Sequence, residues 1–289
     1  MHNFGKGSQI SGLLSNTGER SAEKRTGVRC FDSSAGQRRL DAKAGVRHSV
    51  ILLNSNQGRA YIVKRSRTRK NDSATPSIKG LSGMISRACL IAKDAAFNIQ
   101  DYIENSSSLA LVAVKQCEKE LDEIEREVDQ LLPAAITEVT EPEARQLLAC
   151  LKFITDLERI GDLLSSAAHG VHQLTSALPR QDGALFLEMS RTLEKMLEAV
   201  HRGFVNRDEV AAKLVLRSDS EIDRACHQVF RHHFAVVGTN GTSDSGRILL
   251  IAQAFERAGD HAKNLAEEII HLVRGHSLRH TSRARLKSD

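Results

Sequence analysis

The sequence contains no tryptophan and only two tyrosines among its 289 residues, so aromatic side chains contribute little to any core. Leucine, alanine, glutamate and arginine dominate instead, a mixture that favours helices packed through aliphatic side chains. Apolar residues make up 40% of the chain, which is enough for a sizeable core. The composition therefore predicts an all-α protein.

Long apolar runs are also missing. The stretches at 109–114 and 248–252 are apolar but far shorter than the roughly 18 to 20 residues of a membrane-spanning helix. No apolar stretch of the length that a secretory signal needs lies near the start. We therefore expect no integral membrane segment and no secretory signal.

Paired cysteines are absent too. The five cysteines are odd in number, widely spaced and never arranged as Cys-x-x-Cys, so the sequence favours neither a disulfide framework nor a thiolate zinc site. This usage is typical of reduced cysteines in the cytosol. The positions are Cys30, Cys89, Cys117, Cys150 and Cys226.

The net charge of +5 is distributed unevenly. Residues 1–75 hold 15 Lys and Arg against 5 Asp and Glu, whereas the remaining residues hold 26 against 31. We predict a basic, mostly disordered N-terminal arm over 1–75, with one short strand near 50–54 or 60–63. The arm is interpreted as a solvated tail or an over-long translation start. The alternatives are contact with nucleic acid or anionic lipid, and an organelle transit peptide.

Six amphipathic helical patterns follow the arm. Pro133 lies inside the second and predicts a kink or a stop there. The sequence TEPE at 140–143 is a capping box with proline in the first turn, and it opens the third. The predicted spans are about 78–103, 107–137, 140–174, 184–205, 207–236 and 247–274, with a break at 178–183 and a loop at 238–246. These spans give two three-helix units, 76–178 and 184–275, and a basic tail at 276–289.

Two pentapeptides relate the two units. ERIGD at 158–162 and ERAGD at 256–260 lie 98 residues apart and are identical at four of five positions. At an offset of 94, EREVD at 125–129 falls on DSEID at 219–223, again with two acids four residues apart. The sequence thus predicts a duplicated three-helix unit with one acidic pair on each of the second, third, fifth and sixth helices.

Acids four residues apart share one helical face and repel by a few tenths of a kcal/mol in water. Facing carboxylates on packed helices are how helical bundles hold metal ions, and oxygen ligands suit Mg, Mn, Ca or Fe. The alternative is that Arg159, Arg257 and other basic partners neutralise the acids as solvated salt bridges. Gly161 and Gly259 cost up to about 1 kcal/mol each within a helix, so we expect either close helix packing or close approach of a metal–water cluster there.

These motifs resemble those of the PhoU family of phosphate-signalling proteins, and the resemblance extends from residue 78 to residue 275. It implies two tandem three-helix PhoU-type repeats in an elongated all-α bundle. It also implies multinuclear metal clusters, reported in that family as iron, zinc or magnesium/manganese sites. By position the implied ligands are Glu125, Asp129, Glu158, Asp162, Asp219, Asp223, Glu256 and Asp260.

The two repeats differ after the Gly-Asp dipeptide. The family continues with x-x-x-Asn-x-x-Glu, which the second repeat keeps as Asn264 and Glu267, whereas the first has Ser166 and His169. His169 lies on the same face as Asp162 and is either a nitrogen ligand or a solvated or N–H-bonded histidine. We therefore expect unequal occupancy, with the second repeat as the first place to look for metal.

The resemblance further implies a non-catalytic, cytoplasmic negative regulator, held at the inner face of the membrane through its partners. Those partners are a sensor histidine kinase and a phosphate ABC transporter ATPase, and the chain is expected to be a homodimer. One alternative is a carboxylate-bundle metalloenzyme, although the Glu-x-x-His pairs of di-iron proteins and a nucleophile–base set are missing. The other is a nucleic-acid-binding regulator that uses the basic arm, against which the acidic balance of the body argues.

Overall fold

The computed structural model describes residues 49–53, 60–64, 77–137, 139–240 and 243–275. Strands β1 (Ser49–Leu53) and β2 (Ala60–Lys64) form an antiparallel hairpin in which Val50 is opposite Val63. The sequence predicted one strand in this region, and two form because each alternative segment pairs with the other. The rest of the predicted disordered arm, and the tail at 276–289, lie outside the described residues.

The described part of the chain contains six helices, and the predicted all-α fold of two three-helix repeats is confirmed. Among the described residues, no helix is long and apolar enough to cross a membrane. The helices are α1 (Ile78–Asn105), α2 (Ser108–Ala135), α3 (Glu141–His172), α4 (Arg180–Asn206), α5 (Glu209–Asn240) and α6 (Ser243–Arg274).

Side-chain caps fix where the first three helices begin. The hydroxyl groups of Ser77 and Ser107 accept hydrogen bonds from backbone N–H groups of the first turns of α1 and α2. The predicted capping box of α3 is present, since the Glu143 carboxylate accepts from the Thr140 backbone N–H at 2.8 Å. These bonds satisfy N–H groups that have no partner within the helix.

Three boundaries differ from the sequence-based expectation. Pro133 does not stop α2 at once, since two helical residues follow it before the helix ends at Ala135, two residues earlier than expected. Helix α4 begins at Arg180 rather than near residue 184, with Asp182 favourably placed in its first turn. Most of the predicted loop at 238–246 is helical, since α5 extends to Asn240 and α6 begins at Ser243.

The packing of the helices places α2 and α5 on the flanks. The three helices of each repeat pack against one another, α1 packs against α4, and α3 packs against α6. The interface between the repeats includes a ring contact between Phe153 and Phe204, with centroids 4.6 Å apart. One face of the bundle therefore follows the order α2, α3, α6, α5. It carries the α2–α3 seam in the first repeat and the α5–α6 seam in the second.

Polar pairs join α3 to α6 between these two seams. The His261 ring Nδ1 lies 2.8 Å from Asp156 Oδ1, and Lys152 donates to Glu268 at 2.9 Å. Both pairs are partly buried, so they fix the relative position of the two acidic seams along the shared face.

Candidate metal centre

Two mid-helix glycines allow the helices to approach closely at the acidic seams. A Cβ at Gly161 would lie 2.6 Å from Leu121 Cδ1 of α2, and one at Gly259 would lie 3.1 Å from Ile222 Cδ1 of α5. The first distance is far inside van der Waals contact and the second is tight. The glycines therefore serve close helix packing, which is one of the two reasons expected from the sequence.

The surroundings of the glycines also correct the alignment of α2 with α5. The Cβ position at Gly161 is 3.6 Å from the Glu118 Cα, and that at Gly259 is 3.7 Å from the Asp219 Oδ1. Glu118 thus occupies in the first repeat the place that Asp219 occupies in the second. The structural offset between α2 and α5 is therefore 101 residues, not the 94 predicted from the sequence.

At the corrected offset, the counterpart of Asp219 and Asp223 is the pair Glu118 and Asp122, which the sequence-based assignment missed. The assigned pair, Glu125 and Asp129, lies two turns further along the same helix face. A signal was available, because acids at 118, 122, 125 and 129 have the i, i+4, i+7, i+11 spacing of one helical face. A shift of one heptad preserves that face, so periodicity alone does not distinguish the two alignments.

We call the six carboxylates at the α2–α3 seam the first cluster: Glu118, Asp122, Glu125, Asp129, Glu158 and Asp162. Burial and repulsion between these acids raise the pKa of three of them, Glu118, Glu125 and Glu158. Burial, followed by the charges of Asp122 and Asp162, raises the pKa of Glu118. Burial and Asp129 likewise raise the pKa of Glu125, which Arg159 and a hydrogen bond from Thr155 partly oppose.

Glu158 is the most deeply placed acid of the first cluster, with 8% of the residue exposed. Burial, and then the charges of Asp162 and Glu125, raise its pKa to about 7. Its Oε2 is buried and has no hydrogen-bond partner. Arg159 approaches that oxygen to 3.5 Å without forming a hydrogen bond, and its side chain is 56% exposed, so the ion pair is largely screened by water.

We call the four carboxylates at the α5–α6 seam the second cluster: Asp219, Asp223, Glu256 and Asp260. Burial is the largest cause that raises the pKa of Glu256 and of Asp223. For Glu256 the charge of Asp260 comes next, and for Asp223 that of Asp219. The second seam therefore concentrates negative charge as the first does.

The second cluster contains a cation from its own chain. Lys263 of α6 donates to Asp219 Oδ2 at 2.8 Å and to Asp260 Oδ1 at 3.5 Å. Burial lowers the pKa of Lys263, but the hydrogen bonds and charges of the two aspartates outweigh it and leave the pKa raised. Asp219, which is only 5% exposed, is thus neutralised within the fold.

Three predicted residues, Asn264, Glu267 and His169, follow the clustered acids along α6 and α3. Asn264 and Glu267 are half-buried, one and two turns beyond Asp260 on α6. His169 is exposed, and its ring contacts the Gln173 side chain one turn on. The ligand roles assigned to these three residues stay predictions. Arg159 forms ion pairs with acids of its own helix, as the salt-bridge alternative expected.

The donors at both seams are carboxylate oxygens, which suit hard divalent cations. Within the described ranges, no three His, Cys, Asp or Glu side chains are already arranged to hold a metal ion. The unpartnered buried oxygen of Glu158 is the feature of the first cluster that fits a bound cation.

Fold and site together define a class: an all-α protein made of two copies of a three-helix unit, each with a carboxylate cluster between its second and third helices. The model of the PhoU domain family matches residues 85–171 and 186–269. The chain therefore belongs to the PhoU family.

Curated relatives and solved structures resemble the chain over most of their length. A phosphate-specific transport system accessory protein PhoU homolog from Burkholderia sp is 30% identical over 207 residues, which cover 69% of this chain and 88% of that protein. The Pseudomonas aeruginosa homolog is 26% identical, covering 72% and 88%. The crystal structure of PhoU from Pseudomonas aeruginosa superposes with a TM-score of 0.58 at 24% identity, covering 68% and 94%. That of the phosphate transport system regulatory protein PhoU from Streptococcus pneumoniae gives 0.58 at 17% identity, covering 70% and 97%.

Proposed function

We propose that this chain is a cytoplasmic, non-catalytic regulator of phosphate uptake and phosphate-starvation signalling that works with metal ions held at its acidic clusters. Family membership supports the regulatory part of this proposal, because the curated relatives are named as accessory proteins of a phosphate-specific transport system. Its partners are then a phosphate ABC transporter ATPase and a sensor histidine kinase. It acts as a homodimer that damps the starvation response when phosphate is plentiful.

The observation that carries the metal part is the unpartnered Oε2 of Glu158. A buried carboxylate without a hydrogen-bond partner is costly unless a well-placed positive charge is paired with it, and the exposed Arg159 side chain, 3.5 Å away, is a weak partner. Glu158 faces Asp162 and Glu125, whose charges add to that cost. A divalent cation offsets it without a proton, which is the chemistry that oxygen-only donor sets provide.

In the first repeat, Glu118, Glu158 and Asp162 would hold the ion, with Asp122 and Glu125 at its edge. A bound metal ion would supply positive charge between the facing carboxylates of these two helices. The carboxylates of α2 and α3 then hold these helices in one relative position. We propose that this fixed seam is part of the surface presented to the transporter and the kinase.

The experiment is a gene deletion in the native organism, complemented from a plasmid and read by a phosphate-starvation reporter at high phosphate. The wild-type gene restores repression. A Glu118→Gln, Glu158→Gln, Asp162→Asn triple variant leaves the reporter on at a wild-type protein level. Glu123→Gln is the control, since Glu123 is an exposed acid of α2 outside the cluster.

Two outcomes contradict parts of this account. If deletion leaves the reporter unchanged at high phosphate, the chain does not damp the starvation response. If the triple variant represses as well as the wild type, metal at the first cluster is not needed for regulation.

A further inference from the structure

We propose that Lys263 acts as a built-in counter-ion that closes the second cluster to divalent cations, so that the first cluster is the high-affinity cation site of the chain. This inference rests on the proposed metal function and names which of the two sites is used. It reverses the expectation from the sequence, where Asn264 and Glu267 favoured the second repeat.

The two repeats differ at the positions that decide the charge of each seam. At the offset of 98 residues that relates α3 to α6, the counterpart of Lys263 is Ser165, which carries no charge. At the offset of 101 that relates α2 to α5, the counterpart of Glu125 is Cys226. At the same offset the counterpart of Asp129 is Phe230, so the first seam has two more acids than the second and lacks the lysine.

The deepest acids of the two clusters, which are not at equivalent positions, also differ in their partners. In the second cluster, Asp219 is 5% exposed and accepts a hydrogen bond from Lys263 at 2.8 Å. In the first, Glu158 is 8% exposed and its Oε2 has no hydrogen-bond partner. The fold thus gives Asp219 a hydrogen-bonded counter-ion, whereas the Glu158 Oε2 has only the exposed Arg159 side chain at 3.5 Å.

Lys263 and Arg159 are not equivalent as counter-ions. The Lys263 side chain is 23% exposed and bridges two helices, from Asp219 of α5 to Asp260 of α6. Arg159 is 56% exposed, and its ion pairs are with Glu158 and Asp162 of its own helix. The lysine ammonium therefore occupies the inter-helix position that a cation would take, whereas the arginine lies at the rim and is screened.

The test is titration of the metal-free full-length chain with Mn²⁺, with free Mn²⁺ measured by electron paramagnetic resonance. We expect one class of tight sites in the wild type. This tight class is lost in the double variant Glu158→Gln with Asp162→Asn. It is kept in the double variant Asp223→Asn with Asp260→Asn. Lys263→Gln adds a second class, which binds Mn²⁺ about tenfold or more tightly than the second cluster of the wild type because a partly buried ion pair no longer competes. The control Lys195→Gln removes an equal charge from an exposed position on α4.

The outcomes separate this inference from the function on which it rests. If the wild type binds Mn²⁺ and Lys263→Gln binds no more than Lys195→Gln does, the inference is wrong and the metal function stands. The inference is also wrong, and the metal function stands, if the double variant Asp223→Asn with Asp260→Asn binds Mn²⁺ less tightly than the wild type does. If the wild type and every variant fail to bind Mn²⁺, both the inference and the proposed metal function are overturned. Circular dichroism of each variant confirms that the helices are intact.

Discussion

Lys263 Nζ lies 2.8 Å from Asp219 Oδ2, and this contact ties α6 to α5 across a seam of four carboxylates. The equivalent position in the first repeat is Ser165, and the seam there lacks this tie. The second repeat thus has a lysine that bridges two helices, whereas in the first repeat the buried Glu158 Oε2 has no hydrogen-bond partner.

Loss of Lys263 should destabilise the second repeat in the absence of metal. In Lys263→Met, Asp219 stays buried without its partner, which costs about 1–3 kcal/mol in the free energy of unfolding. Urea denaturation followed by circular dichroism measures this cost. Adding Asp219→Asn to the variant should recover most of it, because the charge that was left unpaired is then removed. Equal stability of Lys263→Met and the wild type would contradict the role of the contact.

Stability should fall between mildly acidic and neutral pH because of Glu158. Burial and the charges of Asp162 and Glu125 raise its pKa to about 7, from 4.5. The folded chain therefore holds this proton to a higher pH than the unfolded chain does. The stability contributed by the protonated group is complete below about pH 4.5 and is lost as the pH rises through about 7.

Glu158→Gln should remove this loss, which we expect to be about 1–2 kcal/mol after solvent screening. The measurement is a series of urea unfolding curves from pH 5 to pH 8 in the presence of a chelator. Above pH 7 the variant should be the more stable protein, and Mn²⁺ should stabilise only the wild type in that range. Parallel pH profiles for the two proteins would show that Glu158 does not titrate as described.

Substituting alanine for a helical glycine tests whether close packing or helix propensity has the larger effect on the free energy of unfolding at that position. Gly161→Ala places a Cβ 2.6 Å from Leu121, so we expect a net destabilisation of about 1–2 kcal/mol despite the better helix propensity of alanine. Gly83→Ala in α1 is the matched control, because nothing lies within 4 Å of its Cβ position. That variant should gain up to about 1 kcal/mol. If both variants were stabilised, close packing would not explain Gly161.

The start of α6 should depend on Asp244. Its carboxylate accepts hydrogen bonds from the backbone N–H and hydroxyl groups of Thr175 and Ser176, and these bonds lower its pKa to about 2. Asp244→Ala should lower the thermal unfolding midpoint at pH 7 and expose the 173–179 segment to proteolysis. The difference between the two proteins is present above about pH 3.8 and disappears as the pH falls through about 2. An unchanged midpoint at pH 7 would contradict this role.

Short-range motifs in the sequence were sufficient to predict the helices and their duplication. The capping box at Thr140 and Glu143 is a short-range motif, and it marks the start of α3 correctly. The repeated pentapeptides placed the acids of α3 and α6 at the right offset, because four of five residues are identical and the glycine of each packs against a side chain of the preceding helix. Such features depend on neighbours within a few residues, which a sequence displays directly.

The details of the candidate site depend on contacts between helices, which the sequence does not display. Glu118 and Asp122 were missed because a shift of one heptad leaves the same helix face toward α3, and only the packing of Leu121 on Gly161 fixes the register. The reach of Lys263 to Asp219 spans 44 residues of chain, so it could not be inferred from spacing along one helix. Similar sequence patterns therefore lead to two seams with different charge balance.

The measurement that tests the account most directly is the metal content of the purified full-length chain after incubation with Mn²⁺, Fe²⁺ or Mg²⁺ and removal of the excess. Inductively coupled plasma mass spectrometry gives the ratio of metal to protein. We predict bound metal in the wild type and in Glu123→Gln, and its loss in Glu158→Gln, Asp162→Asn. A wild-type chain that is folded and free of all three metals would contradict the central claim that the acidic clusters of this PhoU-family protein bind metal ions.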